Sequence, residues 1–156
     1  MPVTNIPYDA LTPGQTVRIQ KTIEDRDILL FAALSGDRNP VHLDDSYAAR
    51  SLFKGRVAHG MLAGSLISAA IACELPGPGS IYMGQKLAFL RPVRPGDTLT
   101  IELEVLEKLP KMQVRLATRV FNQNGEQVVD GEAEVVAPRR QQEVSLTGLP
   151  EIRIGH

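Results

Sequence analysis

The chain has 156 residues, 43% of them hydrophobic and 22% charged, a balance typical of a folded domain rather than of a disordered segment. Its 17 basic and 18 acidic residues give a formal net charge of -1, so bulk charge supports no nucleic-acid or membrane-surface role. The single cysteine, Cys73, can form neither an internal disulfide nor a cysteine-based metal site. We therefore expect one reduced, cytoplasmic domain over residues 1–156. We expect no secretion signal, because no charged segment followed by an apolar one opens the chain.

The first third of the chain predicts one strand, one helix and a long loop. Residues 15–21 favour a strand, and Thr22 followed by Asp25 resembles a helix-capping pattern. The helix is expected to continue to Gly36, a natural stop. Residues 37–59 are rich in loop-forming residues, with a short helical piece near 46–50, and long loops in compact domains are often functional.

A long apolar helix is predicted over residues 60–75. The segment is shorter than the roughly 20 residues that a membrane-spanning helix needs, and it is apolar on nearly all sides. We therefore expect it to be buried inside its own domain.

Four strands are predicted after this helix. Polar and apolar residues alternate in them with the period of two that a half-buried strand requires, and they cover residues 80–90, 98–105, 112–122 and 127–137. The Asn124-Gly125 pair between the last two favours a tight hairpin, because both residues tolerate a positive φ.

Together these elements predict an α+β fold, an antiparallel sheet of about five strands wrapped around a long central helix. Such a sheet leaves an edge open, and a homodimer would cover it. The core is expected over about residues 8–138, with residues 139–156 as a tail that packs at the edge or extends into solvent.

Two of the three histidines are candidates for chemistry. His156 is terminal, and we expect it to be solvated and inert. Asp37 and His42 are five positions apart in one loop, and a carboxylate and an imidazole that converge can hold a water and exchange protons with it. His59 precedes the long helix, where we expect an ordering or packing role. Gly60 begins this helix, and its free backbone N–H can stabilise negative charge on a carbonyl oxygen.

Three segments carry a family resemblance. The run FAALSGDRNPVH at residues 31–42, followed by Ala48, resembles the signature of the hydratase 2 family, the MaoC-like (R)-specific enoyl-CoA hydratases. Residues 58–62 (AHGML) and 75–82 (LPGPGSIY) resemble the start of the central helix in these enzymes and the turn beyond it.

The resemblance implies a hot-dog fold, a homodimer and reversible syn hydration of trans-2-enoyl-CoA to (3R)-3-hydroxyacyl-CoA. It implies that Asp37 and His42 activate the catalytic water and that the Gly60 amide binds the thioester carbonyl. The expected partner is the acyl-CoA substrate, of which coenzyme A is a part, and no metal or redox cofactor is implied. In bacteria such enzymes often divert β-oxidation intermediates to polyhydroxyalkanoate synthesis, so we expect that pathway.

The resemblance also implies substrate-binding positions. Ser68 and Ile71 on the long helix, with Val135 on the last strand, match positions that border the acyl tunnel; core packing is the alternative for all three. Asn39 is a candidate substrate contact, with loop shaping as the alternative. Several basic residues are expected to be surface charges, of which one or two meet the coenzyme A phosphates: Lys54, Arg56, Lys86, Arg91 and Arg94.

Three other functions stay open at this point. A hot-dog acyl-CoA thioesterase commonly has a catalytic carboxylate on or beside the central helix, but residues 60–73 contain no Asp or Glu. A 3-hydroxyacyl-carrier-protein dehydratase would need a basic docking surface, which Lys54, Arg56 and Arg94 leave possible. A non-catalytic acyl-chain binding module would need neither Asp37 nor His42.

Overall fold

The computed structural model describes residues 1–155; the prediction for His156 lies outside the described residues. Residues 1–155 form four α-helices, which are α1 (Asp25–Ser35), α2 (Pro40–Leu43), α3 (Asp45–Ala49) and α4 (Gly60–Cys73). They also form seven strands, which are β1 (Pro2–Thr4), β2 (Thr16–Thr22), β3 (Ile81–Phe89), β4 (Thr98–Lys108), β5 (Gln113–Phe121), β6 (Gln127–Val136) and β7 (Glu143–Ser145).

Five strands make one antiparallel sheet in the order β2-β4-β5-β6-β3. The predicted alternation is confirmed most clearly in β4, whose inward-facing side chains are fully buried, as are their neighbours on β5: Leu99, Ile101, Leu103, Val105, Val114, Leu116 and Val120. The five predicted strands therefore all exist.

Helix α4 packs against this sheet. Its buried side chains belong to the same hydrophobic core as those of the strands: Leu62, Ala63, Ile67, Ala70 and Ile71. The expectation that the helix is buried all round is wrong, because one sheet covers only one side of it; Met61 is 54% exposed, and Ser65, Ala69 and Ala72 are exposed as well. No helix within residues 1–155 has the length and apolarity needed to cross a membrane.

The predicted start of α1 is also wrong. Thr22 belongs to β2, where its hydroxyl lies 2.8 Å from that of Thr98 on β4. Because strand pairing continues this far, the helix begins later, with Glu24 as its N-cap and the Asp27 carboxylate accepting the Glu24 N–H at 2.8 Å. The predicted end at Gly36 is confirmed.

The predicted tight hairpin between β5 and β6 is present, and one residue of the Asn-Gly pair takes a positive φ. Gly125 has a φ of 73°, whereas Asn124 does not take a positive φ. The N–H of Gly125 donates to the carbonyl of Asn122 at 3.0 Å, and the N–H of Asn122 donates to the carbonyl of Glu126 at 2.9 Å. The loop therefore has three residues with glycine in the left-handed position, the next most common way to close a hairpin.

The first part of the tail is packed. Strand β7 pairs with β1 in a separate two-stranded sheet. The buried amide of Asn5 donates to the carbonyls of Pro78 and Arg140 at 2.9 and 3.2 Å, and it accepts the N–H of Gln142 at 2.8 Å. One side chain thus ties the tail to the turn after α4.

Candidate active site

Three chain segments meet beside the N-terminus of α4. Asp37 follows the end of α1, His42 lies on α2 and His59 is the N-cap residue of α4. The Oδ2 of Asp37 is 3.9 Å from the Nε2 of His42. His42 is buried, whereas about half of the Asp37 side chain is exposed. The structure therefore brings together the two residues that the sequence selected for acid–base chemistry.

The orientation of His42 follows from its contact with Val57. Its Nδ1 lies 2.7 Å from the carbonyl oxygen of Val57. Since a carbonyl only accepts, Nδ1 carries the hydrogen in the neutral ring and Nε2 presents a lone pair. The gap of 3.9 Å between Nε2 and Oδ2 of Asp37 is too long for a direct hydrogen bond, but it is short enough for one water to hydrogen-bond to both atoms.

The loop that carries Asp37 is held by short-range hydrogen bonds. Ser35 Oγ accepts the N–H of Asp37, and Asp37 Oδ1 accepts the N–H of Asn39, both at 3.1 Å. Asn39 in turn caps α2 by accepting the N–H of Val41 at 3.3 Å, with Pro40 in the first helical turn. These contacts occupy Oδ1 of Asp37 and leave Oδ2 facing His42. They also show Asn39 in its loop-shaping role, and its contact with substrate stays a prediction.

Arg56 also stabilises the segment that carries His42. Its guanidinium donates to Asp45 on α3 at 2.7 Å and to Asp25 on α1 at 2.8 Å, and it reaches the carbonyl of His42 at 3.5 Å. The pKa of Arg56 is raised, mainly by the hydrogen bond to Asp45. From the sequence Arg56 was predicted to be a surface charge, because its partners are distant in the chain and no local pattern links them.

A cavity of about 360 Å³ lies next to these residues. Its lining includes both histidines, the start of α4 and the end of β3 with the segment after it: His42, Phe53, Val57, Ala58, His59, Gly60, Ala63, Phe89, Leu90, Arg91, Pro92, Val93 and Val129. The first residues of α4 have no partner within the helix for their N–H groups, so this end of the cavity favours negative charge.

Gly60 packs closely against the ring of Phe89 in this wall. A Cβ at this position would lie 3.1 Å from the ring of Phe89. The absence of a side chain lets the backbone of α4 and the ring form one wall, and it leaves the start of the helix open to a ligand.

The predicted tunnel residues are elsewhere. Ser68 is about two helical turns further along α4, and Ile71 and Val135 are 2% and 0% exposed in the core. None of the three lines the cavity beside Gly60. Their role in binding an acyl chain stays a prediction.

One group of potential metal ligands lies among residues 1–155. Asp37, His42 and His59 are the one group found there in which a ligand atom from each residue lies within 4.8 Å of the others. A cation bound there would lie where a water could bridge Asp37 and His42.

The chain belongs to the MaoC-like domain family. Its residues 9–135 match the family model described as "MaoC like domain". A curated relative, the (R)-specific enoyl-CoA hydratase of Rhodospirillum rubrum, is 42% identical over 133 residues, which are 85% of this chain and 92% of the relative.

Two solved structures define the fold. An unliganded R-hydratase from Pseudomonas aeruginosa is 63% identical, with a TM-score of 0.96 over 99% of this chain and 100% of the other. An (R)-hydratase from Aeromonas caviae, described as involved in PHA biosynthesis, is 44% identical with a TM-score of 0.80 over 83% of this chain and 98% of the other. The predicted hot-dog fold is thus confirmed.

Proposed function

We propose that the protein is an (R)-specific enoyl-CoA hydratase, a hydro-lyase that adds water reversibly to trans-2-enoyl-CoA and forms (3R)-3-hydroxyacyl-CoA. The observation that carries this proposal is the Asp37–His42 pair, 3.9 Å apart beside the N-terminus of α4. The identity of 42–63% to proteins named as R-specific hydratases supports the same reaction.

The geometry explains how water is added. A water held by Asp37 and His42 loses a proton to one of these two bases while its oxygen bonds to C3 of the substrate, and the proton taken up then passes to C2, so both groups return to their starting state. Negative charge develops on the thioester oxygen as the C2–C3 double bond is lost. The Gly60 N–H, at the positive end of α4, can donate to that oxygen and stabilise the charge. Because water and proton come from one side of the cavity, addition is syn.

The proposed reaction needs neither a metal nor a redox cofactor. Hydration changes no net oxidation state of the substrate, and two protein side chains supply its proton transfers. We expect activity to survive treatment with a chelator followed by gel filtration. Loss of activity that added zinc restores would overturn this part of the proposal, and would place an ion among Asp37, His42 and His59.

Two rival functions receive less support. Many thioesterases of this fold use a carboxylate on the central helix, whereas α4 carries no Asp or Glu. The carboxylate beside α4, Asp37, lies next to His42 instead, an arrangement that favours hydration. A pure binding module would not need Asp37 and His42 arranged around a water site. We further propose a cytoplasmic role that supplies monomers for PHA biosynthesis, supported by the description of the Aeromonas caviae relative.

An absorbance assay with crotonyl-CoA tests the reaction type. Hydration removes the conjugated double bond, so the absorbance of the enoyl thioester should fall while no free thiol appears. Release of thiol at the rate of substrate loss would identify a thioesterase instead. Binding of crotonyl-CoA with neither change would identify a binding module.

The stereochemistry of the product is a separate prediction. If the water is held on one face of the substrate by Asp37 and His42, crotonyl-CoA should give only the (3R) alcohol. An (S)-specific 3-hydroxyacyl-CoA dehydrogenase added with NAD should then form no NADH, and an (R)-specific dehydrogenase serves as the positive control. Appreciable NADH with the (S)-specific enzyme would contradict the assignment.

We also propose that the protein is a homodimer joined along β3. This strand is an edge of the sheet, because it pairs only with β6 among the strands of residues 1–155. Free N–H and C=O groups on an edge pair readily with a second strand. The face beside this edge exposes large apolar side chains, each more than half exposed: Met61, Ile81, Met83, Phe89 and Leu90.

Light scattering should therefore report about twice 17.0 kDa. Met83→Lys, which places a charge on this edge, should shift the mass toward the monomer. Gln20→Lys adds the same charge on β2 at the opposite edge and should leave the dimer intact. A wild-type monomer that is fully active at assay dilution would contradict the proposed dimer.

A further inference from the structure

His59 contacts both members of the acid–base pair. It is 3% exposed, and its ring stacks on that of His42 with centroids 3.8 Å apart and planes 29° apart. Its Nε2 lies 3.1 Å from the carbonyl oxygen of Asp37. The ring of Phe31 also contacts it, with centroids 4.9 Å apart.

These contacts settle which ring nitrogen of His59 carries hydrogen. A carbonyl oxygen only accepts, so Nε2 donates and Nδ1 of the neutral ring has a lone pair. That Nδ1 is buried and has no hydrogen-bond partner among residues 1–155. An unpartnered buried polar atom destabilises a fold. A phenyl ring would fill similar space without this penalty, so packing alone does not explain a histidine here.

We propose that His59 is a positioning residue for the Asp37–His42 pair. Its Nε2–H holds the backbone of Asp37, and its ring fixes the plane of the His42 imidazole. One side chain at the start of α4 thereby sets the separation of two groups on other segments. The inference rests on the proposed hydratase function, since it assigns His59 a role in that reaction.

Two substitutions separate the hydrogen bond from the ring stack. His59→Phe keeps a ring and removes the donor, whereas His59→Gln keeps an N–H donor and removes the ring. For His59→Phe we expect a Tm close to that of the wild type, because the unpartnered Nδ1 is removed while the Asp37 carbonyl loses its donor. Its kcat should fall about 10- to 100-fold, since displacement of a reacting group by about 1 Å has an effect of that size, while KM changes little. His59→Gln should recover part of this kcat.

A double-mutant cycle shows whether His59 acts through Asp37. Residues that work as a unit have non-additive effects on turnover. Asp37→Asn combined with His59→Phe should therefore lose no more than Asp37→Asn alone, within about twofold. Independent roles would multiply the two losses and overturn the inference.

The remaining outcomes are also decisive. Wild-type kcat in a folded His59→Phe variant would show that His59 only packs. A fall in Tm with unchanged kcat in both variants would show the same. Failure of the wild-type protein to hydrate crotonyl-CoA would instead remove the proposed function itself, so the two failures are distinguishable.

Discussion

Replacing Asp37 by Asn, or His42 by Gln, is expected to lower kcat for crotonyl-CoA hydration by about a hundredfold or more, the effect of losing a general acid or base. Asn cannot take a proton from water, and Gln can neither accept nor release one at the pH of the reaction. Stopped or continuous assays of the purified variants measure the loss directly.

Both variants should keep the fold. In Asp37→Asn the side-chain oxygen can still accept the N–H of Asn39, the contact that shapes the loop. Circular dichroism and Tm check this point. Asp44→Asn is the matched control, since Asp44 is an exposed carboxylate in the same segment that caps α3 through the N–H of Tyr47. Asn caps helices as well as Asp does, so its kcat and Tm should stay unchanged. A folded Asp37→Asn variant with wild-type turnover would refute the assignment.

Replacing Ile71 by Ala is expected to lower the free energy of unfolding by about 2–5 kcal/mol, the cost of truncating a large buried side chain. Ile71 is 2% exposed and belongs to the core between α4 and the sheet. Denaturant titration measures this loss. Ile67→Ala is the control, because Ile67 is one turn earlier on the same helix, is 0% exposed and was not assigned to the tunnel.

The same variant tests the acyl-tunnel prediction. If Ile71 narrows a tunnel, its truncation lets a longer chain bury more methylene groups, at about 0.8 kcal/mol each. Two such groups raise the kcat/KM ratio of eight- to four-carbon substrates roughly tenfold relative to the wild type. Ile67→Ala should leave that ratio alone. If the ratio stays constant in Ile71→Ala while stability falls, Ile71 is a core residue and the acyl chain binds elsewhere.

Local patterns determined most elements of this fold. Strict alternation in residues 98–105 predicts β4, because only a period of two buries Leu99, Ile101 and Leu103 on one face. Strand pairing and turn geometry were harder to predict from the sequence. Thr22 belongs to β2 because it pairs with a residue of β4. Helix α2 has only four residues, too few for a periodic pattern to predict it.

The candidate site likewise combines residues that the sequence could predict with residues that it could not. Asp37 and His42 are close in sequence and lie in a run that resembles a family signature, so sequence alone could select them. A loop of hydrogen-bonding side chains brings them together. Arg56 and His59 reach this pair from 14 and 22 residues further along the chain, and no local rule links residues so far apart. The side of α4 that stays exposed, the place of the cavity and the stack of two imidazoles depend on how α4 packs against the sheet. Tertiary structure alone decided these features, because contacts between distant segments are set by packing and not by the periodicity of any one segment.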